Sequence, residues 1–379
     1  MLTLEHEGKR LLRSWGIETP QGVVVPRDAD AQQILASHAV AYPAVVKAQV
    51  SAGGRGKAGG VVKVENDTQA KEAVARLLAT RYSGELPSAV LIEPWLEVER
   101  ELYLSVTVDA RAEGLAVLFA PRGGVEIEQG PPPARYAVGP AGRFRGYKLR
   151  QVLETVESSH EVRERVISLA QRLVHGAAAA DCTTVEINPL ARLADGRLVA
   201  VDAKVVRDDW ASSRQSDIKA MLAEFTARQP QLLRDCIEMQ HMYVELDGDV
   251  GLISGGAGMT MAAMDMIAEY GGRPACFLDA SPGPTSTRGY RPAFALLDAD
   301  PRIKVILVSV FGGGTQMQRV ANAMRDLMRE RTSKKPVVFR LDGTNVDQVP
   351  AILADINATN HGSLETAVKE AVALAGKKS

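Results

Sequence analysis

Apolar residues along the first part of the chain recur with two different spacings. In the opening segment MLTLEHEGKRLLRSWGI they fall about one helical turn apart with charges between them, which predicts an amphipathic helix. PAVVKAQV (residues 43–50) and GVVKVE (60–65) are short, β-branched and partly alternating, so they read as strands joined by a glycine-rich loop. Asn66-Asp67 forms a capping pair for a helix over 68–80, and a strand follows at 89–93. ELYLSVTVD and GLAVLFA then face each other across residues 110–113 as an antiparallel pair, before Gly130-Pro131-Pro132-Pro133 breaks the chain. Helices are expected at 147–156 and 160–179, followed by a β-hairpin in TTVEINPLARLADGRLVAVDAKV that turns near Asp195-Gly196, and by helix over about 217–239.

From Val250 the texture changes to repeated strand, glycine loop and helix. The strands are VGLIS, ACFLDA, IKVILVSVF and PVVFRLD, with helices at about 259–269, 291–297, 316–331 and 347–355. This alternation predicts a parallel, doubly wound sheet with right-handed crossovers. Its ligand loops are expected beyond the carboxyl ends of the strands, at SGGAG, DASPGPT, FGGGT and DGTN, where helix N-termini favour anions.

Composition narrows the function classes. The 379 residues suffice for two or three domains, and a formal net charge of −1 with 24% charged residues gives no global field for nucleic acid or an anionic membrane. No run of about 18 apolar residues occurs. The three cysteines, Cys182, Cys236 and Cys276, are widely spaced and form no CxxC, so a reducing, cytoplasmic setting is expected, with an organelle matrix left open.

Two constellations carry chemistry. SAGGRGKAGG contains Gly54, Gly56 and Gly59 in the order of a dinucleotide fingerprint, but a strand rather than a helix follows, and no Ser or Thr follows Lys57 as a Walker A loop requires. A hairpin remains, with Lys47, Arg55 and Lys57 around a backbone able to approach an anion closely, which suits polyphosphate. The second constellation is Glu186-Ile187-Asn188-Pro189 with Asp202 across the turn. Pairing about Asp195-Gly196 brings Asn188 and Asp202 near each other as two hard oxygen ligands for Mg2+.

The hairpin after Lys47, EPWLEVERELY (93–103), GGVEIE (123–128), VEINPL (185–190) and LDGDVG with GGAGMTMAAMDMI resemble the β subunit of succinyl-CoA synthetase, nearly end to end. The resemblance implies an α/β protein with an ATP-grasp fold over residues 1–236 and a flavodoxin-like, parallel-sheet CoA-ligase domain over 241–379. The first would divide into subdomains at about 21–96 and at 1–20 with 97–236. It implies ATP rather than a dinucleotide under the loop, with Lys47, Gly54, Arg55, Gly56, Glu93, Leu96 and Glu101 as nucleotide contacts. Asn188 and Asp202 become magnesium ligands, and Glu186 the glutamate that orients a phosphorylated histidine. Pro20 falls where ATP-using members of the family carry proline, so the resemblance favours ADP/ATP over GDP/GTP. No histidine of this chain lies in a glycine-rich phosphate loop. The resemblance implies that the histidine, and most of the CoA site, lie on a separate α-type subunit. Gly255, Gly312, Gly313, Gly314 and Thr315 fall on the loops where the family binds its acid.

Those loops depart from the family pattern. Gly255 replaces an asparagine, Ser281-Pro282-Gly283 replaces three glycines, and Gln316 stands where the family has an arginine. Retained phosphoryl chemistry with an altered acid is therefore expected, and plain succinate is disfavoured because a neutral donor replaces a bidentate cation. A single-chain ATP-grasp ligase forming amides or carboxylating its substrate, and a non-catalytic nucleotide-sensing subunit, are the alternatives.

Overall fold

The structure is a computed structural model that describes residues 2–376 apart from 39, 52–54, 83, 125–126, 128–129, 228 and 282–284. The chain divides into two compact units, Met1–Leu222 and Ala223–Ser379.

The first unit opens with α1 (Glu5–Ser14), β1 (Val23–Pro26), α2 (Ala31–Ser37), β2 (Ala44–Gln49), β3 (Val61–Val64), α3 (Asp67–Ala79) and β4 (Ala89–Pro94). The four strands pair in the order β1-β4-β2-β3, all antiparallel. Period-2 alternation sends Val46 and Ala48 of β2 into a core with Val74 and Leu77 of α3. It sends Lys47 and Gln49 to the opposite face, and that face carries the site. The expected cap holds, with the Asn66 side chain accepting a hydrogen bond from the Gln69 backbone N–H.

A second sheet follows from β5 (Val98–Asp109), β6 (Gly114–Ala120), β7 (Ala134–Gly139), β8 (Cys182–Leu193), β9 (Leu198–Ala200) and β10 (Lys204–Arg207), with α4 (Gly146–Leu153) and α5 (His160–Ala179) between β7 and β8. Its order is β10-β8-β5-β6-β7, and β9 also pairs with β8. Val166, Ala170 and Leu173 of α5 share a core with Leu104, Val106 and Val185 of the sheet. α1 belongs to this layer: the Trp15 ring fills the space over Gly176, where a Cβ would lie 2.2 Å from it.

The helix expected over 217–239 is two helices, α6 (Ser216–Ala227) and α7 (Gln231–Glu238). Pro230 stands between them, and the residue before a proline is pushed out of the helical region. The division between the two units falls inside α6.

The second unit continues with β11 (Met242–Glu245), β12 (Val250–Ser254), α8 (Ala257–Glu269), β13 (Cys276–Asp279), α9 (Thr287–Ala299), β14 (Val305–Gly312), α10 (Met317–Glu330), β15 (Val337–Gly343), α11 (Val349–Ala354) and α12 (Leu364–Gly376). The sheet order is β11-β13-β12-β14-β15. Strands β12 to β15 are parallel as expected, while β11 adds an antiparallel edge that its short sequence MYVE does not announce. α9 starts four residues before its expected position and keeps Pro292 inside it, where only one intrahelical hydrogen bond is forfeited. α8 and α12 cover one face through Ala263, Ile267, Val368 and Ala371, and α9, α10 and α11 cover the other. α12 was not anticipated from the apolar spacing. Among the described residues no helix is long and apolar enough to cross a membrane.

Candidate active site

Lys47 lies near the end of β2 on the face away from α3, and only 4% of its surface is exposed. Its Nζ donates to Glu5 Oε1 at 2.9 Å and to the Val201 carbonyl at 2.8 Å, and lies 2.9 Å from Glu93 Oε2. Glu93 reaches the same face because β4 pairs with β2 in the register Val45↔Glu93. Glu5 and Lys9 come from one face of α1, four residues apart, and Lys9 Nζ lies 2.7 Å from Glu5 and 2.6 Å from both Glu93 oxygens. Beyond β2 the hairpin brings back Arg55, which donates to the Ala48 carbonyl at 2.9 Å, to Glu5 Oε2, and to Asp202 Oδ1 at 3.3 Å. Three acids and three bases thus interlock.

Burial by itself would raise the Glu5 carboxyl, but Lys47, Lys9 and Arg55 together outweigh it and hold the group well below the usual carboxylate range. Burial works against the Lys47 charge, and Glu5, Glu93 and Asp202 more than compensate, raising its pKa. For Lys9 burial prevails, lowering it despite Glu5 and Glu93. Asp202 is raised by crowding in the cleft and by Glu5, although its side chain keeps 42% of its exposure. A Cβ on Gly56 would meet no described residue within 4 Å. Gly54 lies outside the described residues, as do parts of the 123–128 motif and Pro282 and Gly283.

The opposite wall is built on β8. The register Leu190↔Ala200 on one side of Pro189 and Glu186↔Lys204 on the other sets Asn188 opposite Asp202, as the hairpin turning at Gly196 requires. Asn188 Oδ1 accepts the Gly124 N–H at 2.6 Å, and its Nδ2 donates back to the Gly124 carbonyl at 3.3 Å. Gly124 has φ +65°, and a Cβ there would lie 2.3 Å from Glu101 Oε2. The glycine therefore lets Glu101 and Asn188 share one turn of backbone. Glu186 accepts from Tyr103 Oη at 3.5 Å. Leu96 packs on the small cluster of Ala191, Leu193 and Val199 beside this wall. The Asn188 amide oxygen and the Asp202 carboxylate are hard donors at opposed positions of one ladder, which suits Mg2+, a cation that takes few protein oxygens and completes its shell with water and phosphate.

In the second unit the strand ends bring the loops into pairs. Asp279 Oδ1 accepts N–H groups from Gly256 at 2.8 Å and Ser281 at 2.9 Å, tying SGGAG to DASPGPT. Thr344 Oγ1 donates to the Gly313 carbonyl at 2.7 Å, tying FGGGT to DGTN. A Cβ on Gly255 would lie 3.5 Å from Val310 and one on Gly312 2.8 Å from Thr315, while one on Gly313 or Gly314 would meet no described residue within 4 Å. Gln316 sits at the N-cap of α10, and its side chain caps no backbone N–H.

Glu5, Lys9 and Gln49 belong to this site although their sequence context marks only an amphipathic helix and a strand. The one local signal was the Glu-Lys spacing of four, which usually marks a solvated helix face. In the second unit Asp279, Ser254, Ser309 and Arg340 lie side by side on four adjacent strands. Arg340 is 9% exposed and pairs with Asp342 at 2.7 Å, but its Nε and Nη1, and the Ser309 hydroxyl, are buried and find no hydrogen-bond partner among the described residues. Orphaned buried donors cost about 1–3 kcal/mol each, so this strand end holds unspent capacity for an anion.

Comparison with known proteins adds to this geometry. The ATP-grasp domain family matches residues 3–192 and the CoA-ligase family matches residues 253–379. The chain is 35% identical over 379 residues to the succinate–CoA ligase [ADP-forming] subunit beta of Desulfurococcus amylolyticus, covering 99% of each chain. It is also 35% identical to the protein of the same name in Rubrobacter xylanophilus, covering 98% of each. Among solved structures, ATP citrate lyase from Methanothrix soehngenii in complex with citrate and coenzyme A superposes with a TM-score of 0.75 at 20% identity, over 98% of this chain and 99% of that one, a likeness of fold.

Proposed function

The chain belongs to the succinate–CoA ligase β-subunit family, and from that premise we propose that it is the β-type subunit of an ADP-forming ligase that joins CoA to a carboxylic acid other than plain succinate. The family assignment makes it an ATP-dependent CoA ligase whose relatives use ATP and Mg2+. The observation that supports nucleotide and Mg2+ use by this chain is the meeting of Lys47 and Arg55 with the Asn188 and Asp202 pair, which supplies cations for phosphates beside hard oxygens for a metal.

A carboxylate is a poor acyl donor, so ATP is spent to make an acyl phosphate that a thiolate can attack. Lys47 and Arg55 would orient and neutralise the terminal phosphates, and Asn188 and Asp202 would hold Mg2+. Bound there, Mg2+ supplies charge neutralisation on the phosphate oxygens. Glu186 would steady the histidine of an α-type partner that carries the phosphoryl group, and most of the CoA site would belong to that partner. The acid would meet the strand ends of the second unit. With Gln316 neutral, Arg340 is the buried cation near Gly312–Thr315, and it favours an acid whose anionic or hydroxylated end differs in reach from that of succinate.

The test is to co-purify the chain with an α-type subunit from its own genome and measure thioester formation with ATP and CoA against succinate, malate, citrate, sulfoacetate and simple monocarboxylates. Activity only in the complex, with succinate a poor substrate, is expected. Turnover by the rigorously purified single chain would overturn the partnership, and a clear preference for succinate would overturn the acid assignment.

A further inference from the structure

Glu5 has no role in the chemistry described so far, yet it meets three cations, Lys9, Lys47 and Arg55. It is 3% exposed, and its two oxygens are divided between different cations: Oε1 takes Lys47 at 2.9 Å and Lys9 at 2.7 Å, and Oε2 takes Arg55. Its own anchor is firm. α1 is pinned to β2 by the His6 N–H donating to Gln49 Oε1 at 3.1 Å, while Gln49 Nε2 lies 3.5 Å from Glu5 Oε2. The first turn of the helix is closed by the Leu4 N–H donating to Glu7 Oε2 at 2.8 Å.

An anion beside a polyphosphate site is unexpected on electrostatic grounds. A negative side chain repels the ligand, so Glu5 weakens nucleotide affinity unless it contributes something else. Lys47 sits on a rigid strand and Arg55 on a hairpin, and two cations brought side by side repel. One carboxylate between them removes that repulsion and fixes their separation, because each is drawn to a different oxygen. Lys9, held in turn by Glu93 at 2.6 Å, keeps the carboxylate from following either cation.

We infer that Glu5 is a positioning residue for phosphoryl transfer, setting the spacing at which Lys47 and Arg55 meet the nucleotide's phosphates. This rests on the proposed ATP site. It contributes geometry to the transition state at the expense of ground-state affinity, since misplacing a phosphate-binding group by about 1 Å costs on the order of 100-fold in rate.

The test uses E5Q, which keeps the shape and removes the charge, and Glu5→Asp, which keeps the charge and withdraws it by one methylene. Both are assayed in the complete complex, with the thermal midpoint of each recorded. For E5Q, Mg-ADP affinity by calorimetry should equal or exceed that of the wild type, while kcat falls about 30-fold or more. Glu5→Asp should keep wild-type affinity and also lose kcat. A merely structural residue would lower the midpoint and leave kcat per folded molecule unchanged, and that result overturns the inference. So does a tenfold loss of Mg-ADP affinity in E5Q, or full kcat in Glu5→Asp. Absence of turnover in the wild-type complex would instead count against the ligase reading, and a tenfold loss of Mg-ADP affinity in E5Q would still overturn the role of Glu5.

Discussion

Replacing Lys9 by methionine removes one cation from the buried cluster while keeping most of its volume. Lys9 and its partners Glu5 and Glu93 have side chains exposed by only 1%, 2% and 1%, so water cannot take over the lost bonds. Removing one partner of a buried ion pair costs about 3–5 kcal/mol because a charge is left uncompensated. Here Lys47 remains 2.9 Å from both carboxylates, which lowers the expected loss to about 2–4 kcal/mol. That is a large share of the stability of an ordinary domain. Trp15, Trp95 and Trp210 all belong to the first unit, so tryptophan fluorescence during urea unfolding reads that unit alone. The origin of the penalty is checked by adding Glu93→Gln: if the cost is an unpaired charge, the double variant is more stable than the sum of the two single losses predicts. A loss below about 0.5 kcal/mol in Lys9→Met, or strict additivity in the double variant, would refute the reasoning, because either would mean that the cluster is hydrated or that Lys9 acts only by filling space.

Burial lowers the pKa of His241, opposed only in part by Asp279, and its Nδ1 has no hydrogen-bond partner among the described residues. The unfolded chain then binds the extra proton first, so the second unit should lose stability as pH falls from about 6.5 through the lowered folded value. Calorimetric melts of the wild type and His241→Gln across that window check the sign, and parallel pH profiles would exclude His241 as the source. Burial pushes the thiols of Cys182 up to about 11 and of Cys236 and Cys276 up to about 12. A thiol reagent at pH 8 should therefore find none of them in the native protein and all three in urea, and rapid native labelling would contradict their packing.

Much of the fold was legible because its signals are local. Proline, glycine and period-2 alternation marked the hairpin of β2 and β3, and Asn66 marked the start of α3. A turn at Asp195-Gly196 sets the register of the strands that leave it, so Asn188 could be placed opposite Asp202 by counting along the chain. The parallel sheet of the second unit followed from alternating strand, glycine and helix segments. Where local signals were weak, at β11 and α12, the elements went unread, because their order comes from pairing with β13 and from covering the face shared with α8.

The chemistry of the cluster was decided by the tertiary structure. Lys47 and Arg55 announce a phosphate site as cations near glycines, but Glu5 stands 42 residues before Lys47 and Lys9 84 residues before Glu93. On an isolated helix Glu5 and Lys9 would form a solvated pair worth a few tenths of a kcal/mol. Packing α1 against the face of β2 and β4 removes water from those charges and makes each depend on the others. Ser309 and Arg340 are likewise ordinary strand residues until parallel pairing lines them up at the carboxyl edge and buries several of their polar atoms with no partner among the described residues. Sequence specifies which charges are present and on which face of each element they lie. Only the assembled layers determine which lose their water, and with it which must be paired.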